Sequence, residues 1–388
     1  VSQLSAEESA LLRKRHRADK RFKAYTVIAL LLALAFLLFF FFDIITQGVS
    51  AFRTTHLLVE VSYNEQSLEN PNWAVTEEVE YYVSRSFLRL IPNKIEDNPE
   101  LMNTSREQWV LADSDVDMYM KGQATRLGPD DKAYIDQMRE EGRAKLVFNK
   151  LFFTTGDSTM PEAAGILSAA VGSVFVLTLV LVFCFPLGVL TAIYLEEFAP
   201  DNKLTQAIEV NINNLAAIPS ILFGLLGLAL FINIMDVPRS SALVGGLTLS
   251  LMTLPIIIIS SRAALRAVPY SIRLAAMSMG ATRWQAVVHH VLPQSISGML
   301  TGAIIGLAQA MGETAPLIIV GMIAFIPATP ETVADPTTVL PAQIFKWWGN
   351  SLRGFSEKAA AGIIVLLVIL LAMNALAVLL RARFERRW

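Results

Sequence analysis

Six apolar runs dominate this sequence, at about 25–46, 165–195, 211–235, 241–261, 296–326 and 359–380. Each is long enough to cross a hydrocarbon layer about 30 Å thick at 1.5 Å per residue. Hydrophobic residues make up 54% of the chain and charged residues 17%, where a soluble domain carries roughly 25% charged. The expected fold is an all-α polytopic membrane protein of six transmembrane helices. A small soluble extracytoplasmic domain is expected between helices 1 and 2.

Charge is segregated along the chain, and this predicts topology. The opening segment RKRHRADKRFK is basic, as are the arginines at 262, 266, 273 and 283 and the terminal RARFERRW. With six spans, parity puts all three clusters on one side, where the excess of Lys and Arg marks the cytoplasm. Residues 1–24 are then a cytoplasmic basic tail, 25–46 the first helix and 161–388 a core of five further helices. A cleaved leader competes for the first run, since Val49-Ser50-Ala51 resembles a weak cleavage site. The basic region is too long and the run exceeds a usual leader core, so an uncleaved anchor is expected. Residues 47–160 then fall outside the cytoplasm, which is the periplasm if the membrane is a bacterial inner membrane. There HLLVEVSY suggests a strand, while EEVEYYVSRSFLRLI and DDKAYIDQMREEGRAKLVFNKLFF suggest amphipathic helices.

Several chemistries lack the residues they need. Cys184 is the only cysteine, which excludes an intrachain disulfide or a thiolate metal site. His289 and His290 are adjacent and point about 100° apart on a helix, so no metal is expected. The run Asp113-Ser-Asp115-Val-Asp117 begins like a calcium loop but lacks the Gly and terminal Glu, and reads as a solvated acidic surface. With the basic residues spread over three membrane-flanking clusters, nucleic-acid binding has no support.

The segment from Arg266 to Pro293, within a loop over 262–293, is too elaborate for a connector. It predicts a helix over Ser271–Met279 that ends at Gly280, the residue that best adopts a left-handed C-terminal turn. Thr282 and Gln285 form a capping box for a second helix, which Pro293 stops or redirects. Within it stand Leu274-Ala275-Ala276, Gly280, Arg283, His290 and Leu292-Pro293. This spacing resembles the cytoplasmic loop of ABC importer permeases: Glu-Ala-Ala, three residues, Gly, nine residues, Ile, one residue, Leu-Pro. Leu274 replaces the Glu and His290 the Ile. The resemblance implies a type I permease fold and a loop, carried by Ala275, Ala276, Gly280, Arg283, Leu292 and Pro293, that docks on an ATPase subunit. The sequence contains no phosphate loop. ATP and Mg are therefore expected on a separate ATPase subunit, and no cofactor on this chain.

The fifth run carries Gln309, Gly312, Glu313, Thr314 and Pro316. A carboxylate within a span rarely faces lipid. Gly298, Gly302 and Gly306, continued by Ala310, make a close-packing face at four-residue spacing. If the helix is continuous, Glu313 falls within roughly 20° of Gly306 and points to another helix or to a translocation path. Pro316 is expected to loosen the helix there. The run Gly312-Glu-Thr-Ala-Pro316 followed by Leu-Ile-Ile, with Leu-Ala-Ala-Ile-Pro-Ser-Ile-Leu-Phe-Gly at 215–224, resembles phosphate importer permeases of the PstA type. Some members carry Arg where this chain has Gln309, which implies that positive charge for the anion comes from a sister permease. Glu313 either pairs with an arginine of that sister subunit or makes a fixed interhelical hydrogen bond. The implied partners are the sister permease, two ATPase subunits, an external phosphate-binding protein and membrane lipid. Another oxyanion (phosphonate, sulfate or molybdate) stays open as cargo. A membrane sensor or a secondary transporter fits the six spans and docking-type loop less well.

Overall fold

The structure is a computed structural model and describes residues 6–384. Residues 385–388, part of the terminal basic cluster, lie outside the described residues. Helix α1 (Ala6–Val49) has 44 residues, which makes it about 66 Å long. Its apolar part fills about half of that length, and the basic part continues the same rod.

A mixed α/β domain follows directly. Strand β1 (Arg53–Tyr63) is central, with antiparallel neighbours β2 (Thr104–Leu111) and, beyond α2 (Ser114–Met120) and α3 (Pro129–Glu140), β3 (Ala144–Phe148). Leu57 pairs with Val110 and Thr55 with Leu146. The two-residue period of β1 buries Leu57, Val59, Val61 and Tyr63 on one face. They meet Val83, Leu88, Ile91, Val116, Ile135 and Met138 in a core separate from that of the membrane body. Two expected helices are interrupted. The stretch from Asp130 to Phe153 breaks at Gly142, whose φ of +73° turns the chain back as β3. The stretch from Glu77 to Ile91 is split into short turns around Val83, which bridges to Ala112.

The remainder is helical: α4 (Leu167–Ile193), α5 (Lys203–Ala216), α6 (Ser220–Gly227), α7 (Ala242–Arg266), α8 (Tyr270–Ser278), α9 (Arg283–Ala286), α10 (Leu292–Gly312), α11 (Ala315–Ile319), α12 (Leu340–Trp348) and α13 (Gly354–Phe384). Five stretches are long and apolar enough to cross a membrane, and six if α5 and α6 with its continuation to Ile232 count as one. That pair meets at 103°, so the expected straight span over 211–235 is corrected to a sharp bend. The cause is Pro219, which keeps Ile218 out of the helical region and lacks an N–H to continue the ladder.

Helix α7 lies at the centre, between α4 and α10. Small residues permit the close approach: Gly188 of α4 meets Ile257, and Gly246 of α7 meets Leu179. Gly298, Gly302 and Gly306 of α10 abut Ala264, Ser260 and Thr253 of α7. Helix α13 packs along α1, where Gly48 lies on the backbone of Ala360.

Candidate functional site

Two regions concentrate the residues singled out above. The first is the loop between α7 and α10. Helix α8 covers Tyr270–Ser278, and Gly280 follows at φ +87°. The capping box forms as its residue types dictate. Thr282 Oγ1 accepts from the Gln285 N–H, and Gln285 Oε1 accepts from the Thr282 N–H. Pro293 does not end the helix that starts at Arg283. A wide π-turn over Val287–Val291 precedes α10, with Pro293 in its first turn. Such a turn absorbs the missing N–H and ring clash of proline, so helix runs unbroken from Arg283 to Gly312.

Residues Ala275, Gly280 and Arg283 are exposed, while Ala276 is buried. Arg283 stacks over Phe198, 5.8 Å from the ring centre, and Phe198 in turn meets Trp284. Between α8 and the end of α4 lies a cleft of about 640 Å³, lined by Glu196, Glu197, Arg266, Tyr270, Arg273 and Arg283 among others. Apart from Arg283, its charges are paired. Arg262 binds Glu209 at 2.5 Å and Glu196 at 3.4 Å, Arg266 binds Glu196 at 2.8 Å, and Arg273 binds Glu197 at 2.5 Å. Sequence reading missed these acids because their partners lie 53 to 76 residues away. The available signal was Glu196-Glu197 closing an apolar run, opposite a loop carrying only arginines.

The second region is a pair of helix breaks. Helix α10 ends at Gly312, and Glu313 is extended at φ −79° and ψ 121°. The projection of Glu313 onto the glycine face, which assumed a continuous helix, is therefore corrected. The expected span over 296–326 is likewise shortened. Pro316 occupies the first turn of α11 rather than kinking one long helix. Glu313 is half-buried and, among the described residues, its carboxylate has no hydrogen-bond or ion-pair partner. Gln309 and Gly312 are exposed, Thr314 is half-buried and Pro316 is buried.

The α5–α6 bend lies against this break. Gly224 of α6 packs on Pro316 and Ile319 of α11, so the structure joins the two segments quoted for the phosphate importer resemblance. Non-helical backbone at membrane depth is tolerated only where protein buries it or it lines a water-filled cavity. Residues 213–219 are exposed on this chain, as are Gln309 and Gly312, so each break has an uncovered face.

At the other end of the bundle, the α/β domain is keyed to the membrane body. Lys121 binds Asp117 of α2 at 2.6 Å and Glu357 of α13 at 2.7 Å, with all three side chains almost fully buried. Asp117 also accepts the N–H and hydroxyl of Thr55. Glu162, 2% exposed, accepts the Ser84 hydroxyl at 2.5 Å through Oε1, while Oε2 has no partner among the described residues. Asp157 receives Lys346 at 2.6 Å and the Trp347 indole at 2.9 Å. Asp113 and Asp117, read as solvated surface, instead cap α2 and anchor β1.

Comparison with known proteins bears on both regions. Residues 184–388 match the family described as binding-protein-dependent transport system inner membrane component. Residues 9–82 and 74–129 match a family described only as a domain of unknown function. The chain is 28% identical over 242 residues to a probable ABC transporter permease protein, YqgI, of Bacillus subtilis, covering 58% of this chain and 81% of that protein. It is 30% identical over 213 residues to the phosphate transport system permease protein PstA of Yersinia pestis, covering 55% and 71%. A solved inward-facing MetNI methionine ABC transporter chain aligns at 20% identity and a TM-score of 0.44, covering 55% of this chain and 95% of that one. The chain belongs to the binding-protein-dependent transport system inner membrane components, the multi-pass permease subunits of ABC importers.

Proposed function

We propose that this chain is one of two unlike permease subunits of an ATP-driven importer for inorganic phosphate. The reading is supported most by the Gly312–Pro316 segment, which resembles that of phosphate importer permeases and sits at a break with an uncovered face. In this reading a sister permease covers that face, and an arginine of the sister subunit meets the unpartnered Glu313. Two ATPase subunits bind ATP and Mg and receive the α8–α9 loop. An extracytoplasmic phosphate-binding protein delivers the anion, both termini are cytoplasmic, and the α/β domain is periplasmic. Acidic residues in that domain would repel phosphate, so capture is assigned to the binding protein.

The test is ATP-dependent uptake in proteoliposomes holding this chain with its sister permease, ATPase and binding protein. Labelled phosphate is offered, with sulfate and molybdate as competitors. Phosphate uptake that resists both competitors supports the reading, whereas transport of another oxyanion alone overturns the cargo. Uptake without the ATPase overturns the importer assignment. Glu313→Gln is expected to cut uptake at least tenfold with the complex intact, and normal uptake by that variant would sink the proposed role of Glu313.

A further inference from the structure

Helix α8 has little apolar contact with the rest of the chain. Ala276 is its only buried residue, and Ile272 and Arg273 are half-buried. Tyr270, Leu274 and Met277 face outward. Burial of one methyl group and part of an isoleucine is too little to hold a helix under load.

Arg273 supplies what apolar packing does not. Its Nε donates to both carboxylate oxygens of Glu197 at 3.1 Å, and its Nη2 donates to Oε1 at 2.5 Å. Nη2 also donates to the Leu265 carbonyl at 3.0 Å, and Nη1 to the Val268 carbonyl at 2.9 Å. Three segments thus meet at one planar group: α8, the end of α7, and the π-turn Tyr194–Phe198 that closes α4. The fork of the guanidinium fixes direction as well as distance, which a lysine could not do.

Burial separates this pair from its neighbours. The Arg273 and Glu197 side chains are 12% and 5% exposed; Arg262 is equally buried but its acids Glu196 and Glu209 are 17% and 32% exposed, and Arg266 is 60% exposed. Among the described residues, Arg273–Glu197 is the one ion pair that joins α8 to another helix. Exposed pairs contribute little and exchange freely with water, while a buried, multiply bonded pair resists separation.

We propose that Glu197 and Arg273 are positioning residues that form a strut carrying displacement of α8 into α4. The proposal rests on the reading that the α8–α9 loop receives closure of the ATPase. Movement would then reach the membrane span directly through α4. It would bypass the turn at Gly280.

The test follows the far end of α4 in the assembled complex. Val174 is exposed, and lies 23 residues from Glu197, about 35 Å along the helix axis. A Val174→Cys substitution in a Cys184→Ala background takes an environment-sensitive fluorophore. Its emission is read before and after trapping with ATP and vanadate, per ATPase bound. The strut predicts a trapping-dependent shift that Glu197→Gln and Arg273→Lys each reduce at least fivefold and that Glu197→Asp largely keeps. A merely structural pair would lower the yield of complex without changing the shift per complex. A full shift in Glu197→Gln overturns the proposal. So does no shift in the complex without those two substitutions, which would remove the movement to be carried. Loss of the ATPase from that complex overturns instead the docking reading beneath it.

Discussion

Glu162 allows a quantitative test of how the α/β domain is attached to the membrane body. Its carboxyl is buried between Ser84, the Met160–Ala164 turn and the start of α13, where Gly354 packs on Pro161. Burial is the main cause, with Asp113 and Asp117 adding repulsion, that lifts it from an ordinary 4.5 to about 7. The Ser84 hydrogen bond works the other way. The nearby guanidinia of Arg85, Arg126 and Arg353 line an adjoining cleft of about 280 Å³ and do not offset the loss of water. A carboxyl raised on folding favours the folded state below its unfolded value. That contribution is lost as pH rises from 4.5 through about 7. At about 1.4 kcal/mol per pH unit, the difference amounts to roughly 3 kcal/mol, or about 200-fold in a local opening constant. Hydrogen exchange of the segments around 84–90 and 161–166, divided by intrinsic exchange rates, reads it in purified protein. Protection should fall about 75-fold between pH 5 and 8.5, part of the difference being already lost at pH 5. Glu162→Gln, which keeps the neutral form, should show a nearly flat profile. Equal pH profiles for the two proteins would refute the argument.

Lys121→Met should leave Asp117 and Glu357 buried without the cation that bonds both, at a cost of about 3–5 kcal/mol. Hydrogen exchange should rise in α2 and the first turn of α13 together, and a change confined to α2 would contradict the bridge. Gly280 stands at φ +87° with open space around it, so only backbone strain opposes a side chain there. Gly280→Asn should retain ATPase association, whereas Gly280→Val should lose about 1–2 kcal/mol of local stability and most co-purifying ATPase. Equal association by both variants would show that the left-handed turn is not required.

The parts of this fold readable in advance are those governed by local chemistry. The glycine face of α10 follows from spacing alone. The Thr282–Gln285 box follows from two residue types three positions apart. What escaped reading depended on distant partners or on competition between neighbours. Pro219 lay inside an apolar run, and its power to bend α5 against α6 was outweighed by hydropathy, although Asn211, Asn213 and Asn214 already weakened the case for a simple span. The strand Ala144–Phe148 was hidden in a helical pattern because only the positive φ of Gly142 separates it from α3. Glu313 was assigned a helical direction that held only while Pro316 was treated as a kink. Its lack of a partner among the described residues could not be read at all, because it depends on the packing of every surrounding helix.

The Lys121–Glu357 bridge also imposes an order on biogenesis. Its two residues are 236 positions apart. At about 5–20 residues per second, a ribosome needs roughly 10–50 s to pass from one to the other. Throughout that interval the nascent α/β domain can form its sheet and pair Lys121 with Asp117, yet its final ionic contact does not exist. Attachment becomes complete only when the start of α13 has been made and comes to rest beside α1. A helix made 236 residues later is therefore the one that locks the folded α/β domain in place.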